Sequence, residues 1–471
     1  MQLLGPKYLH ASVHGAERKP VELVAEGNST LPLSLEVSGN SAGVDQANAV
    51  APLLPIDTGY EVVSADDRSA TFRGRANGIE VLKTISLDSQ AFKLDVALEV
   101  RSEQPFSGRV SLLTTGWSDP SAGSGGFMAT YFSSRVQPAQ AMCKAGKESE
   151  QLQVAKPRSW SSPTHADFVG INEQFFLMAA VPVGDGATAC RVNSDAKGAL
   201  SAALDFPLTL AAGATQKLSV ATFAGPKLGE ILDQVSPHLR ESIDFGFWGV
   251  IVKGLLVGMR FFHDAIPPHN WGLAIILLTL SIKLLTFPLT HKQMKSMQEM
   301  QRIQPQLDEL KKKYAGDTAR QNQEQMKLFQ EHGVNPMASC LPMLVQFPIW
   351  IALYNTLRVS AELYNSAFIA GWLDDLTAKD PYFIVPAVMG VTMIITQVLT
   401  PTPTSNPSQK TVTYAMSAFF TLAMFNLPSG LTLYILVNNV LSIAQQVYLR
   451  RTFKATVAPA ASQTVEVAPR R

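Results

Sequence analysis

The chain has 471 residues, and its 39 Lys and Arg residues against 38 Asp and Glu residues give a formal net charge of +1. Direct recognition of a nucleic acid is not expected. The mean hydropathy of +0.09 averages a polar N-terminal half with a strongly apolar C-terminal half, which excludes a chain of uniform character.

The residues that usually carry catalysis or bind metals form no recognisable pattern. The eight histidines include no His-Glu-x-x-His motif, and the three cysteines are far apart in sequence. The glycine-rich segment 121–126 lacks the Gly-Lys-Ser/Thr of a phosphate-binding loop. We therefore expect neither an enzyme nor a metal or cofactor.

Residues 1–240 predict an all-β domain, an antiparallel sandwich of two sheets. Apolar and polar residues alternate over 92–101, which is the period of a strand with one buried and one solvated face. Similar short runs recur at 60–63, 79–87 and 175–183, with Gly, Pro, Ser and Asn between them. Taken alone, this half would also fit a sugar-binding or scaffolding module.

The segment 241–269 predicts an amphipathic helix and a linker. Residues 245–262 are apolar apart from Lys253 and Arg260, which lie seven residues apart and therefore on one helical face. Two cations in so short a run would be costly deep in a bilayer, so we expect this helix to lie in the membrane interface.

The next segment, 271–289, is long enough to cross a bilayer and is uncharged except for Lys283. An ammonium near the middle of a membrane helix costs about 2.5–3.5 kcal/mol, so it persists only where it faces protein or water. Lys283 therefore predicts a wet cavity within the bilayer. The alternative is that its side chain simply extends to the nearer membrane surface.

Residues 291–334 predict a cytoplasmic helical hairpin, with its turn at Gly316-Asp317. A stripe of apolar residues recurs along it at three- and four-residue steps, and this pattern fits either packing between the two helices or a surface that meets apolar clients. The stripe consists of Met294, Met297, Met300, Ile303, Leu307, Leu310 and Tyr314.

Four further apolar segments complete a predicted five-helix membrane bundle within 270–454. They cover about 337–357, 382–399, 411–427 and 431–449. Lys and Arg cluster between the first two spans and after the last one, so both of these regions should be cytoplasmic. An odd number of spans then places residues 1–270 on the extracytoplasmic side of the membrane.

This topology bears on the cysteines. Cys143 and Cys190 lie in the exported half, where a disulfide is permitted, and the sequence leaves open whether they pair. Cys340 lies in a predicted membrane helix and should be a small packed residue.

Short motifs throughout the apolar half resemble the YidC family of membrane protein insertases. The resemblance covers about 240–454 closely, and the β-rich half more loosely resembles the large periplasmic domain of the Gram-negative members. The motifs are Asn270-Trp271-Gly272, Lys283 five residues before Pro288-Leu289-Thr290, Gln304-Pro305, Val334-Asn335-Pro336, Cys340-Leu341-Pro342, Gln346-Phe347-Pro348-Ile349, Asp380-Pro381-Tyr382, Pro428-Ser429-Gly430 and Gln445-Gln446.

The resemblance implies a hydrophilic groove that is open to the cytoplasm and to lipid but closed outwards. Lys283 stands at the position of the family's groove cation, where Arg is more usual. Thr279, one turn earlier, matches a groove position, and Gln346 and Tyr434 are expected to line the groove. Ile435 departs from the pattern, since many members have a second Tyr there.

Phe347 and Trp350 match the hydrophobic slide along which a client's apolar segment would move into lipid. The implied partners are nascent membrane protein clients, the Sec translocon and membrane lipids. The tail 455–471 is expected to be disordered and lacks the long basic extension with which some relatives hold ribosomes, so ribosome binding stays open.

Two further expectations concern class and topology. A secondary transporter or channel would also tolerate a lone intramembrane charge, but transporters usually have paired charges or repeated broken helices, and neither is evident here. Residues 1–19 contain no apolar core long enough for a signal, so we expect the natural product to begin upstream with a signal-anchor helix.

Overall fold

The computed structural model describes residues 2–3, 21–22, 32–41, 52–88, 91–120, 137–154, 158–162, 164–184, 188–333, 341–399 and 407–456. The chain forms two compact units. The β unit comprises Met1–Gly249 and Asn355–Ser366, and the helical unit comprises Val250–Tyr354 and Ala367–Arg471. The glycine-rich segment 121–126, Cys340 and the tail beyond residue 456 lie outside the described residues.

The described part of the β unit has two large antiparallel sheets and one short strand pair. The larger sheet has nine strands in the order β11-β10-β13-β14-β17-β8-β7-β6-β5, and the smaller has six in the order β12-β15-β16-β9-β3-β4. The strands are β1 Gln2–Leu3, β2 Val21–Glu22, β3 Ser34–Ser41, β4 Pro52–Leu54, β5 Tyr60–Ala65, β6 Ser69–Ala76, β7 Ile79–Asp88, β8 Lys93–Ser102, β9 Phe106–Trp117, β10 Gln140–Ala145, β11 Glu148–Leu152, β12 Arg158–Ser161, β13 Phe168–Asn172, β14 Phe176–Val183, β15 Ala189–Ser194, β16 Ala199–Leu210 and β17 Thr215–Pro226.

The two large sheets pack face to face, as the alternating sequence predicts. Along β8, Leu98 and its apolar neighbours at every second position are buried, whereas Asp95 and Arg101 are exposed. Leu98 shares one core with Leu112 and Leu204 of the six-stranded sheet. Burying each such side chain stabilises the fold by about 1.5–3 kcal/mol. These sheets confirm the sandwich-like β half, and the helices described below confirm the helical half.

The other face of the nine-stranded sheet is covered by two short helices that follow β17. Helix α1 (Gly229–Val235) contributes Leu232, and a 3-10 helix (Pro237–Ser242) contributes Leu239. Both side chains are fully buried against Phe168 and Phe223. The nine-stranded sheet is therefore apolar on both faces in this region.

A disulfide joins the two sheets across the core. Cys143 lies on β10 of the larger sheet and Cys190 on β15 of the smaller one, with their Cα atoms 5.9 Å apart. Both side chains are completely buried. The pairing that the sequence left open is thus present in the structure.

A buried lysine lies where β17 leaves the sheet. Lys227 donates a hydrogen bond from Nζ to Asn172 Oδ1 at 3.1 Å, and Asn172 Nδ2 donates to the Ser242 carbonyl, also at 3.1 Å. Burial lowers the pKa of Lys227 to about 8 against the opposing charges of Glu173 and Asp244. Burial raises the pKa of Glu173 to about 7, with Lys227 opposing that shift.

The segment Asn355–Ser366 belongs to the β unit although it is distant from it in sequence. The Tyr364 ring lies 5.1 Å from the ring of Phe175 and 5.3 Å from the ring of Phe176. Ala361 is buried in the same small apolar cluster. An aromatic anchor therefore fixes this segment to the β14 end of the larger sheet.

The helical unit begins with α2, which meets the next helix closely at Gly258, where an added Cβ would lie 3.0 Å from Leu278. Val250, Val257 and Phe261 of α2 remain exposed. The longer helices are α2 Gly249–Ala265, α3 Trp271–Arg302, α4 Gln304–Lys313, α5 Thr318–Glu331, α6 Leu341–Val359, α7 Ile384–Leu399, α8 Pro407–Met424 and α9 Ser429–Thr456.

Helices α3, α6, α7, α8 and α9 occupy the positions of the five predicted spans. Within the described residues, Trp271–His291 is long and apolar enough to cross a membrane, with a mean hydropathy of 2.0. Ile384–Leu399 and Tyr414–Met424 are shorter apolar helices. The arrangement of five spans stays a prediction.

The hairpin differs in detail from the sequence prediction. Its first part is a continuation of α3, which runs through Pro288 to Arg302, and the two paired helices are α4 and α5. The break falls at Gln304-Pro305, and Pro305 lies in the first turn of α4, where its missing amide hydrogen costs no helical hydrogen bond. Ile303 and Leu307 are buried against α5. The side chains of Met294, Met297 and Met300 lie outside the description.

Candidate functional site

Lys283 is held by a hydroxyl group on another helix. Its side chain is half-buried, and Nζ donates to Ser442 Oγ of α9 at 2.8 Å. Ser442 donates in turn to the Asn438 carbonyl, one turn earlier on α9, at 2.7 Å. Within the described part of the chain, the Lys283 ammonium pairs with the Ser442 hydroxyl and with no carboxylate. The cation therefore has a polar partner that leaves its charge unneutralised.

Thr279 lies one turn before Lys283 but uses its hydroxyl within its own helix. Its side chain is buried, and Oγ1 donates to the Ile275 carbonyl at 2.6 Å. Thr286, on the other side of Lys283, makes the same kind of bond to Ile282 at 2.8 Å. Such bonds satisfy hydroxyl groups on an apolar helix. Among the described residues, Thr279 makes no polar contact outside α3, and its place in a groove stays a prediction.

Gln346 and Tyr434 form a second polar pair. Gln346 Nε2 of α6 donates to the phenol oxygen of Tyr434 on α9, and Tyr434 is almost fully buried. Tyr434 and Ser442 are eight residues apart, about 12 Å along the helix. Helix α9 therefore supplies the partner for both Gln346 and Lys283.

The two residues predicted to form a slide, Phe347 and Trp350, stack on each other along α6. Phe347 is 52% exposed, and its ring centroid lies 6.3 Å from that of the half-buried Trp350. Trp350 in turn stacks on the buried Tyr354 at 6.3 Å and contacts Phe420 of α8 at 6.2 Å. Spacings of three and four residues align these aromatic side chains on one face of the helix.

Two polar residues of α9 were missed by the sequence analysis. Ser442 contacts Lys283, and Asn439 donates to Thr392 Oγ1 of α7 at 3.3 Å. The signal was present, because Asn438, Asn439 and Ser442 are polar side chains within an otherwise apolar run. In such a run, polar side chains mark contacts between helices.

The loop before α7 is tied down by one buried carboxylate. Asp380 accepts hydrogen bonds from Trp372 Nε1 at 2.9 Å, from the Tyr382 amide at 3.0 Å and from the Val385 amide at 2.7 Å. The amides of Ser429 and Gly430 bond to carbonyls of the same loop. Charge-assisted bonds of this kind are strong, so the loop joins the starts of α7 and α9 rigidly.

Together, an antiparallel β-sandwich and an apolar helical unit that holds a half-buried lysine define a membrane protein with a large polar domain. Residues 7–257 match the family profile described as "YidC periplasmic domain", and residues 261–456 match "60Kd inner membrane protein". The chain therefore belongs to the YidC family.

Individual relatives match nearly the whole chain. A protein of Anaeromyxobacter sp. strain Fw109-5, named "Membrane protein insertase YidC", is 38% identical over 454 residues, which are 94% of this chain and 80% of that protein. A protein of the same name from Anaeromyxobacter dehalogenans strain 2CP-1 is 37% identical over 92% of this chain and 78% of that protein. A crystal structure of an active YidC insertase aligns over 86% of both chains with 18% identity and a TM-score of 0.40.

Proposed function

We propose that this protein is a membrane protein insertase, which moves nascent membrane proteins into the bilayer and helps them fold. Family membership and the names of the relatives support this class over an enzyme or a transporter. The observation that carries the mechanism is the half-buried Lys283, which is bonded to neutral Ser442 in the helical unit. A charge kept in this way can attract the polar segment of a client.

Client burial supplies the driving force. Each Å² of apolar client surface that leaves water contributes about 25 cal/mol, so a hydrophobic helix needs no nucleotide to enter lipid. The obstacle is the polar segment that must cross with it. The groove around Lys283, Gln346 and Tyr434 lowers this cost by offering polar groups within the bilayer.

The lysine favours acidic client segments. At 4 Å, two opposite charges attract by about 1 kcal/mol in water and by about 4 kcal/mol at an effective dielectric constant of 20. A half-buried ammonium should therefore hold an Asp or Glu of the translocated segment more strongly than bulk water would. Thr279 completes the same face of α3.

The client's apolar segment leaves along the aromatic slide. Phe347 is exposed and its ring stacks on that of Trp350. A client helix could therefore move along α6 while staying in contact with apolar side chains. Helices α6 and α9 are the proposed walls of this exit. The aromatic surface is suited to many sequences because its contacts are non-directional.

The proposed membrane arrangement has five spans and an inner-membrane location. The β unit lies in the periplasm, α2 lies in the outer interface with its exposed Val250, Val257 and Phe261, and the α4–α5 hairpin and the C-terminus are cytoplasmic. The Sec translocon and lipids are proposed partners beside the client, and the ribosome remains a candidate.

Reconstitution into liposomes tests the function. The purified chain should insert a small single-span client without ATP and should add no flux of small solutes. Absolute dependence on ATP would contradict the mechanism. Solute flux without insertion would instead identify a transporter or channel.

Site-specific photo-crosslinking tests the path. A stalled client should crosslink from Phe347, Trp350 and Tyr434. Val391 of α7 is a matched control, since it is 57% exposed and Phe347 is 52% exposed. Crosslinking from Val391 alone would move the client path to another face of the helical unit.

A further inference from the structure

The partner of Lys283 is chemically unusual for a half-buried lysine. A lysine removed from water is ordinarily compensated by a carboxylate. Here the described structure supplies only the Ser442 hydroxyl, at 2.8 Å from Nζ. The hydroxyl hydrogen is already directed to the Asn438 carbonyl at 2.7 Å. The serine oxygen therefore presents its lone pairs to the ammonium.

The two successive hydrogen bonds, from Lys283 to Ser442 and from Ser442 to the Asn438 carbonyl, fix the ammonium without neutralising it. Lysine has a flexible four-carbon stem and three donors, so without a partner its charge would sample many positions. Among the described residues, one donor is used by Ser442, and two remain for another acceptor. A carboxylate in place of Ser442 would fix the ammonium equally well but would cancel the charge that a client could use.

We propose that Ser442 is the positioning residue that holds the Lys283 ammonium in place, and that this neutral hydroxyl makes insertion selective for clients with acidic translocated segments. The inference rests on the proposed insertase function. It adds a residue on α9 that acts through Lys283 and need not touch the client.

The test uses the full chain in liposomes and two single-span clients that differ only in the translocated segment, which carries Asp and Glu in one and Asn and Gln in the other. The variants are Ser442→Ala, Ser442→Thr and Ser442→Asp. Ser281→Ala is the matched control, because Ser281 of α3 also donates to the carbonyl four residues earlier, at 2.9 Å, but is exposed and bonds only within its own helix.

Ser442→Ala should lower insertion of the acidic client by about tenfold, which is the scale of one hydrogen bond to a charged group, and should leave the neutral client unchanged. Ser442→Thr should restore the acidic client because it retains the hydroxyl. Ser442→Asp should abolish the preference because it neutralises the lysine. Ser281→Ala should behave as the unaltered protein.

Three results would overturn the inference. Equal insertion of the acidic client by Ser442→Ala and Ser281→Ala would remove the positioning role. An equal loss of insertion for both clients, or a failure of Ser442→Thr to restore insertion of the acidic client, would show that Ser442 serves only helix packing. If the unaltered protein inserted neither client, the proposed function itself would fail, and this outcome is distinguishable because it precedes any variant.

Discussion

The two compact units each enclose a lysine, and they treat it in opposite ways. In the β unit, Lys227 is buried, is bonded to the Asn172 amide oxygen, and feels the charges of Glu173 and Asp244. In the helical unit, Lys283 is bonded to a hydroxyl. At the first site the β unit supplies both the hydrogen-bond acceptor and the nearby opposing charges.

The difference indicates which of the two lysines keeps a positive charge that a ligand can use. A buried lysine whose hydrogen bond and nearby charges come from its own domain stabilises one arrangement of its neighbours and is unavailable to a ligand. A lysine that is positioned but not neutralised retains its attraction for an incoming carboxylate. We infer that the lysine of the β unit serves stability and that the lysine of the helical unit serves client binding. Altering each site tests this difference.

The largest effect should come from the disulfide that closes the β unit. Replacing Cys143 and Cys190 with Ala should lower the free energy of unfolding of this unit by about 4 kcal/mol, the chain-entropy value for a sequence separation of 47 residues. Urea unfolding followed by circular dichroism of the sheets would measure it against the oxidised unaltered protein, and the reduced unaltered protein should match the variant. An unchanged midpoint would mean that the sandwich core alone determines stability.

The next largest effect should come from Lys227. Lys227→Met should cost about 2 kcal/mol at neutral pH, because it leaves the buried Asn172 Oδ1 without its donor and removes the cation that opposes the pKa shift of Glu173. Adding Glu173→Gln to that variant should recover part of the loss. Additive destabilisation by the two substitutions would show that Glu173 and Lys227 do not interact.

The same pair predicts a distinctive pH profile. The pKa of Glu173 rises from 4.5 to about 7 on folding, so the folded state binds more protons over that interval and stability falls as the pH rises through it. The pKa of Lys227 falls from 10.5 to about 8, so stability rises with pH between those values. The contribution of the pair is therefore least favourable at about pH 7–8. Glu173→Gln should remove the acid limb only.

The effect at Lys283 should be smaller in energy and confined to function. Lys283→Ala should reduce insertion of a client with an acidic translocated segment by about tenfold, or about 1.4 kcal/mol. Lys283→Arg should retain activity, because it keeps the charge. Lys327→Ala is the matched control, since Lys327 pairs with Glu324 on the exposed surface of α5 at 2.9 Å. Equal activity of all these variants would support a lysine that only extends to the membrane surface.

The sequence was sufficient to predict the β-sandwich, because the alternation of apolar and polar residues along a strand directly reflects which side chains are buried. The alternation over 92–101 corresponds to β8, and the predicted strand at 79–87 corresponds to β7 at Ile79–Asp88. It was sufficient for the positions of the helices because apolar runs and proline breaks are local signals. The extension of α3 to Arg302 was missed because the change from apolar to polar residues at Leu289 does not interrupt the helix.

Contacts between distant segments could not be read in the same way. Lys283 stands out in its own segment, but its partner Ser442 lies 159 residues away, and a single serine in an apolar helix is a weak signal. The pairing of Gln346 with Tyr434 was not specified either, although both residues were expected to line the groove. Partners depend on how helices pack, and one sequence does not fix that packing.

The smallest effect concerns the segment between α6 and α7 that packs into the β unit. Tyr364 lies against Phe175 and Phe176, and aromatic pairs contribute about 0.5–1.5 kcal/mol beyond their buried area. Tyr364→Leu keeps an apolar side chain but removes the ring, so the β unit should lose about 1 kcal/mol of stability. Urea unfolding of the full chain would measure this, with the exposed Tyr382→Leu as a control. A loss as large as that of the disulfide variant would contradict this small contribution. It would mean that the segment 355–366 is part of the folding core of the β unit.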